Sequence, residues 1–469
     1  MPQASEAQAP GPTRQLCSWI GNLSIGDIPE EVRIRAKYLI LDGICCALVG
    51  AHLSWTKKAA NTVFAIEPPG DCVVWGYEKK LGALSAALLN STEIQAFEID
   101  DWHAVAPLHS NSILLPALFA AANQQKAKTQ KLLDGKALLL ATIVGYETGP
   151  RVGLCLHGAH MLARGWHSGT VFGPAASASA VAKLSGLQED NIKDALGIAY
   201  TQACGLMTAQ FGSDLKRMQH GFSARNGLFA ALMAQGHYTG VRNVFEQRLR
   251  GTEPPFLPEG LTKGLGSIWQ SDGIRVKSYA SMAGTYCTID AIAELQKENS
   301  ERLSDFDNVT SIQIELSEAA FKHGGGNRRV LFSATGAQMS AAYVAAVQLA
   351  NKKASPKEFC HDLLNRDSLW SLIEKTECLH TPELGGRYEQ VTISFADNSV
   401  VTKALAAPRD AVPGLSNEEI LEKLRSFTKG VMDDGRRDAI VDRVVNLATV
   451  ADITSLEDLL VGRTVNPIE

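Results

Sequence analysis

The chain has 469 residues, 45% hydrophobic and 20% charged, with a formal net charge of -5. That length allows one large domain plus a smaller one, or about two to three ordinary domains, and the balance excludes a disordered or fibrous chain. The negative charge argues against broad nucleic-acid binding, which needs a basic excess, while leaving room for a buried cationic pocket that takes a small anion.

Residues 1–15, MPQASEAQAPGPTRQ, read as a disordered lead-in, too proline-bearing and too weakly charged for a signal or transit peptide. From about residue 29 to 240, apolar residues recur at three- and four-residue spacing with hardly any period-two alternation, which predicts an all-α body. The stretch 30–49, opened by Pro29, predicts a long helix with one heavily apolar face. Helices rich in Ala, Gly and Ser are predicted over 83–97, 110–123, 136–146, 170–184, 191–207 and 219–236. Small side chains let helix backbones approach closely, as in a large bundle.

Residues 240–273, with EPPFLPEG and several glycines, read as a linker or elaborated loop. Beyond them 309–316, 390–395 and 399–405 alternate as strands, the last two flanking a turn at Asp397 and Asn398. Helical patterns return over 337–351, 417–432 and 435–448, the second capped by Ser416 with Glu419 three residues on. The expected organisation is mainly α: a discontinuous helical domain from 16–273 and 410–469, and a smaller α+β domain over 274–409.

Apolar runs such as 137–144 are too short to span a bilayer, so no membrane partner is expected. Nine scattered cysteines, odd in number and without zinc-type pairing, fit a reducing compartment. A cytoplasmic location follows as an expectation, with a mitochondrial one left open.

Four times a histidine or lysine stands just ahead of a predicted helix built from small residues: His109 before SNSILLPALFAAA, His167 before SGTVFGPAASASAVAKL, Lys216 before RMQHGFSARNGLFAALMAQG, and Lys277 before SYASMAGTYCTIDAIAEL. A helix N-terminus carries unpaired N–H groups and partial positive charge, so an added imidazole or ammonium makes an anion trap. If the four ends converge, they suit a polycarboxylate.

The densest titratable segment is the loop FEIDDWHAVAPLHSNS, residues 97–112, with Glu98, Asp100, Asp101, His103 and His109. Such a set suits acid–base chemistry or a metal; the absence of a HExxH pair or a glycine-pinned calcium loop makes metal the lesser reading. The bland alternative has at least two of the carboxylates capping helix ends or pairing with bases. His167 taken alone reads as a structural histidine, although a helix start would hold its ring towards the neutral, proton-carrying form. Lys216 and Lys277 taken singly would pass for surface lysines, but both end short segments that lead into small-residue runs. Gly324, Gly325 and Gly326 followed by Asn327, Arg328 and Arg329 are an anion-loop candidate whose default is a surface turn. There is no Walker loop, no GxGxxG after a strand and no GxSxG elbow.

AKYLILDGI, EIDDWH...APLHS, GWHSGTVFG, DALGIAYTQACGLM, LKRMQHGFSARNGL and GAQMSAAYVAAVQL together resemble the MmgE/PrpD family, which includes 2-methylcitrate dehydratases and cis-aconitate decarboxylases, the latter being nearer. The resemblance implies a large helical domain, a smaller α+β lid, a homodimer, a tricarboxylate substrate, and no metal or organic cofactor. By position it implies His109, His167, Lys216 and Lys277 as catalytic residues. Glu98, Trp102, His103, Leu162 and Met282 fall to the substrate pocket. Related decarboxylases often carry a histidine or cysteine five residues after the lysine matched here by Lys277 and a histidine nine after it. This chain has Met282 and Tyr286, and its GGGNRRVLFS segment lacks the arginine–proline pattern of relatives. The implied activity is decarboxylation of cis-aconitate or a 2-alkyl cis-aconitate to an itaconate-type product. The alternatives are a 2-methylcitrate or alkylcitrate dehydratase, and an inactive carboxylate-binding relative.

Overall fold

The computed structural model describes residues 10–158, 160–210, 213–246, 257–304, 306–325, 333–382 and 388–469. The chain is mainly α with small sheets and divides into two compact units. The first comprises Met1–Ala96, Asp100–Ile274 and Met432–Thr464, and the second Phe97–Ile99, Arg275–Val431 and Val465–Glu469.

The first unit is built on α1 (Pro12–Asn22), α2 (Glu30–Gly50), α3 (Ser54–Ile66), α4 (Ala83–Ile94), α5 (Ser110–Thr129), α6 (Gly135–Cys155), the single turn α7 (His160–Ala163), α8 (Ser168–Leu184), α9 (Glu189–Tyr200) and α10 (Gln219–Gln235). Helix α8 packs against α5, α6, α9 and α10. Every residue of α8 except Lys183 is buried, and Lys183 donates to the carbonyls of Ile20 and Gly21 at 2.8 and 2.9 Å. The alanine- and serine-rich composition is what permits this: a Cβ on Gly227 of α10 would overlap Ser177 and the backbone of Pro174, and Ser177 Oγ donates across the same seam to Ala224 O at 3.0 Å. Close approach replaces large side chains as the source of packing.

Two sequence expectations change here. Helix α6 runs on past residue 146 to Cys155, straight through Pro150. Glu147 and Arg151, paired at 3.3 Å, bridge the proline, and Arg151 also donates to Lys263 O at 2.8 Å and Ile268 O at 2.7 Å. Tertiary bonds thus outweigh the local cost of the proline. Helix α9, expected to 207, stops at Tyr200. The residues beyond form an irregular link in which Gly205 adopts a φ of +106°, and its carbonyl accepts from His167 N at 3.2 Å. A small antiparallel hairpin, β1 (Pro69–Val74) with β2 (Lys79–Leu81), also interrupts the region read as wholly helical.

The second unit contains a four-stranded sheet of β3 (Val309–Leu316), β4 (Thr376–His380), β5 (Glu389–Phe395) and β6 (Val400–Leu405), in the order β4-β3-β5-β6. β4 pairs parallel with β3, and the other pairs are antiparallel. On β5 the residues Glu389, Val391, Ile393 and Phe395 alternate inward, and the helix Tyr286–Glu298 packs on β5 and β6. The turn between β5 and β6 falls at Asp397 and Asn398, the latter at φ +63°, with Asp397 Oδ1 accepting from Ser399 N at 3.0 Å. β4 was not anticipated; it is a five-residue edge strand without clean alternation.

The helix Asn417–Thr428, read with the helical body, groups with the second unit. Its Ser416 and Glu419 form the expected capping box. Its Lys423 Nζ donates to Ile99 O at 2.5 Å, which fastens it to the 97–99 segment of the same unit. Among the described residues no single helix is long and apolar enough to cross a membrane, and all nine cysteines are free thiols.

Candidate active site

In the first unit the chain starts three helices with imidazoles. His109 is the N-cap of α5 and His167 the N-cap of α8. His220, absent from the sequence candidates, is the second residue of α10. The His220 ring centroid lies 4.9 Å from that of His109 and 5.0 Å from that of His167, so the fully buried His220 stands between the buried His167 and the partly accessible His109. Two adjacent imidazolium charges about 5 Å apart would repel by about 3 kcal/mol at an effective dielectric of about 20. The three rings are close enough to form one electrostatically coupled cluster.

The carboxylates of the 97–112 loop divide their work. Asp100 Oδ2 stands 2.9 Å from His109 Nδ1, its side chain 1% exposed. Asp101 caps α5 instead, accepting from Ser110 N at 2.8 Å and Asn111 N at 3.0 Å. Burial first, then the neighbouring Asp100, pushes the Asp101 carboxyl up to about 8. Behind it Tyr146 OH donates to Asn111 Oδ1 at 2.6 Å, and Asn111 donates to Leu39 O at 2.8 Å. These bonds form a buried polar network at the start of α5.

His103 is only 2% exposed, and its Nδ1 accepts from Ala106 N at 3.0 Å. Its ring fills the space that a side chain at Gly273 would need. These contacts give it the structural task of folding the loop. Trp102 is buried beside it in sequence, and Leu162, in α7, is half-buried.

Lys216 is not solvent-facing, as a typical lysine would be: it sits 7% exposed in the short 3-10 turn Asp214–Arg217, capped by Ser213, that feeds α10. The sequence signal for His220 lay in the same stretch, at the second position of the helix predicted from 219, but a histidine inside an apolar helix reads by default as core.

In the second unit Lys277 Nζ pairs with Glu98 Oε2 at 3.1 Å. Glu98 has a φ of +57°, a conformation that costs energy for any residue with a side chain. Its neighbours hold it there: Phe97 O accepts from Gln338 Nε2 at 2.7 Å and Ile99 O from Lys423 Nζ. The expectation that Lys277 starts a helix fails. Helix Tyr286–Glu298 begins nine residues later, because Tyr286 OH ties back the carbonyls of Tyr279 and Ser281 at 3.1 and 2.9 Å and keeps that stretch irregular. Tyr286 is fully buried in doing so, and Met282, half-buried, has its methyl group against Gly324. Of the glycine loop, residues 326–332 lie outside the described residues. Among the described residues no group of three or more His, Cys, Asp or Glu side chains is placed to hold a metal.

The MmgE/PrpD N-terminal domain matches residues 14–254 and the MmgE/PrpD C-terminal domain residues 279–447. The chain is 43% identical over 472 residues to the cis-aconitate decarboxylase-like protein oryM of Aspergillus oryzae, covering 96% of this chain and 97% of that protein. It is 42% identical over 474 residues to cis-aconitate decarboxylase of Aspergillus terreus, covering 96% of each.

Proposed function

This chain belongs to the MmgE/PrpD family, and we propose that it is a carboxy-lyase that removes carbon dioxide from cis-aconitate, or from a cis-aconitate bearing a 2-alkyl group, to give an itaconate-type product. The observation that carries the reading is the pair of helix-starting imidazoles, His109 and His167, gathered about His220 with Asp100 behind His109, in a chain 42% identical over 96% of its length to cis-aconitate decarboxylase of Aspergillus terreus.

Heterolysis of the bond to the departing carboxylate leaves its electron pair on an allylic unit conjugated with a remaining carboxylate. The anion lasts only if that charge is stabilised without bulk water. Buried Lys216 and the N-terminal dipoles of α5, α8 and α10 supply positive potential for it. An imidazolium, His109 or His167, then delivers one proton to the far carbon of the allylic unit, which completes the exchange of a carboxylate for a hydrogen. Lys277, beside Glu98, is proposed as a further carboxylate anchor on the family likeness. No step calls for a metal or an organic cofactor.

The test offers citrate, cis-aconitate and their 2-alkyl derivatives to pure protein and weighs the products. A loss of about 44 mass units per turnover means decarboxylation and supports the proposal, whereas about 18 means dehydration and replaces it. Binding of tricarboxylates without turnover would reduce the protein to a carboxylate-binding relative.

A further inference from the structure

We infer that His220 is a positioning residue for this reaction, holding the imidazoles of His109 and His167 in place from between them; the inference rests on reading those two as the acid–base pair. The hydrogen-bond count fixes its form. Ser112 Oγ donates its one hydrogen to His109 O at 2.9 Å, so at 3.0 Å from His220 Nδ1 the same oxygen accepts. Nδ1 of His220 therefore carries the hydrogen, and in the neutral ring Nε2 is the acceptor atom. That Nε2 lies over the first turn of α8, where a Cβ on Gly169 would overlap it and would meet His167 Cε1 at 3.2 Å. Ser223 Oγ donates to Gly169 O at 2.9 Å and fixes that turn against α10.

The result is a continuous link across three helix starts. It runs from the His109 carbonyl through Ser112 to Nδ1 of His220, then across the His220 ring to Gly169 and His167. A core histidine of the ordinary kind packs against apolar neighbours and satisfies one polar atom. Here the ring is flanked by two other imidazoles, and its bonded nitrogen reaches the backbone of one of them through the Ser112 hydroxyl. A shift of about 1 Å in either flanking ring is enough to lower turnover on the order of 10²-fold, since proton transfer to carbon depends steeply on alignment.

The test uses the full chain with His220→Phe, which keeps a ring but loses the Nδ1–H, and His220→Asn, whose amide N–H falls where Nδ1–H was. With the substrate that the wild type turns over, His220→Phe is expected to lose kcat about 10²-fold with KM within about 3-fold. His220→Asn is expected to recover most of that loss at a similar melting temperature. Wild-type kcat in His220→Phe, or a loss in both variants that merely follows the melting temperature, overturns the inference. Nitrogen NMR of 15N-histidine-labelled wild type gives a reading independent of turnover: Nδ1 protonated and Nε2 bare is expected for His220, and the opposite tautomer overturns it. Failure of the lyase reading is distinct, because it appears as a wild type inert towards every substrate offered.

Discussion

Lys277 Nζ and Glu98 Oε2 lie 3.1 Å apart in the second unit, with both side chains more than nine-tenths buried. Removing one member takes from the other buried charge its counter-charge at 3.1 Å, a loss of about 3 to 5 kcal/mol, whereas removing both together costs much less. Lys277→Met and Glu98→Gln should therefore each lower the denaturant midpoint, and the double variant should regain much of it. Equal midpoints for Lys277→Met and wild type would mean that the ion pair does not stabilise the fold.

Asp100→Asn tests the support of His109. The amide retains the size of the side chain but no longer faces Nδ1 as a carboxylate, so the ring loses its preferred orientation and tautomer. A fall in kcat on the order of 10²-fold or more is expected, with tricarboxylate affinity little changed. Steady-state rates set beside calorimetric binding check it, and a variant with full kcat would detach Asp100 from the chemistry.

Chelation is expected to leave activity unchanged, since the proposed steps use imidazoles, lysines and helix dipoles alone. Dialysis against a strong chelator followed by the product assay decides it. A loss restored by one added divalent ion would bring back the metal reading of the 97–112 loop.

Much of this is legible in the sequence. The small-residue period announced α5, α8 and α10, and the clustering of His109, Asp100 and Asp101 in one loop announced where titratable groups concentrate. What the pattern could not give was whatever depends on contacts between distant segments. Pro150 looks like a helix stop until Arg151 finds the carbonyls of Lys263 and Ile268. Lys277 looks like a helix start until Tyr286 holds the intervening chain irregular. His220 looks like core because nothing local says that two other imidazoles lie against it.

Stability should fall as pH rises from about 4 to about 8. Burial pushes Asp101 up to about 8 and Glu147 and Glu457 up to about 7, above the usual unfolded values of about 3.9 and 4.3. The folded chain then holds more protons than the unfolded one between those limits. The contribution is complete below about pH 4 and is lost as pH climbs through about 7 to 8, each group weakening the fold by up to about 1.4 kcal/mol per unit. Denaturation curves from about pH 4 to about pH 9 should show the decline and its levelling above about 8, and Asp101→Asn should make it shallower.

Gly169→Ala is the sharpest steric test of the imidazole cluster. The added methyl group would overlap the His220 ring and press on His167 Cε1. Neither neighbour can give way easily: His220 is fully buried and held at Nδ1 by Ser112, and the Gly169 carbonyl is tied to Ser223. Overpacking of this kind costs about 1 to 3 kcal/mol, so the variant should fold with a lowered melting temperature. Displacement of both rings should reduce kcat on the order of 10²-fold, far more than the stability loss alone would produce at assay temperature. A double variant, Gly169→Ala with His220→Ala, removes the overlap and should regain stability without regaining rate. If it regains rate as well, the middle imidazole is dispensable and only the space around His109 and His167 matters.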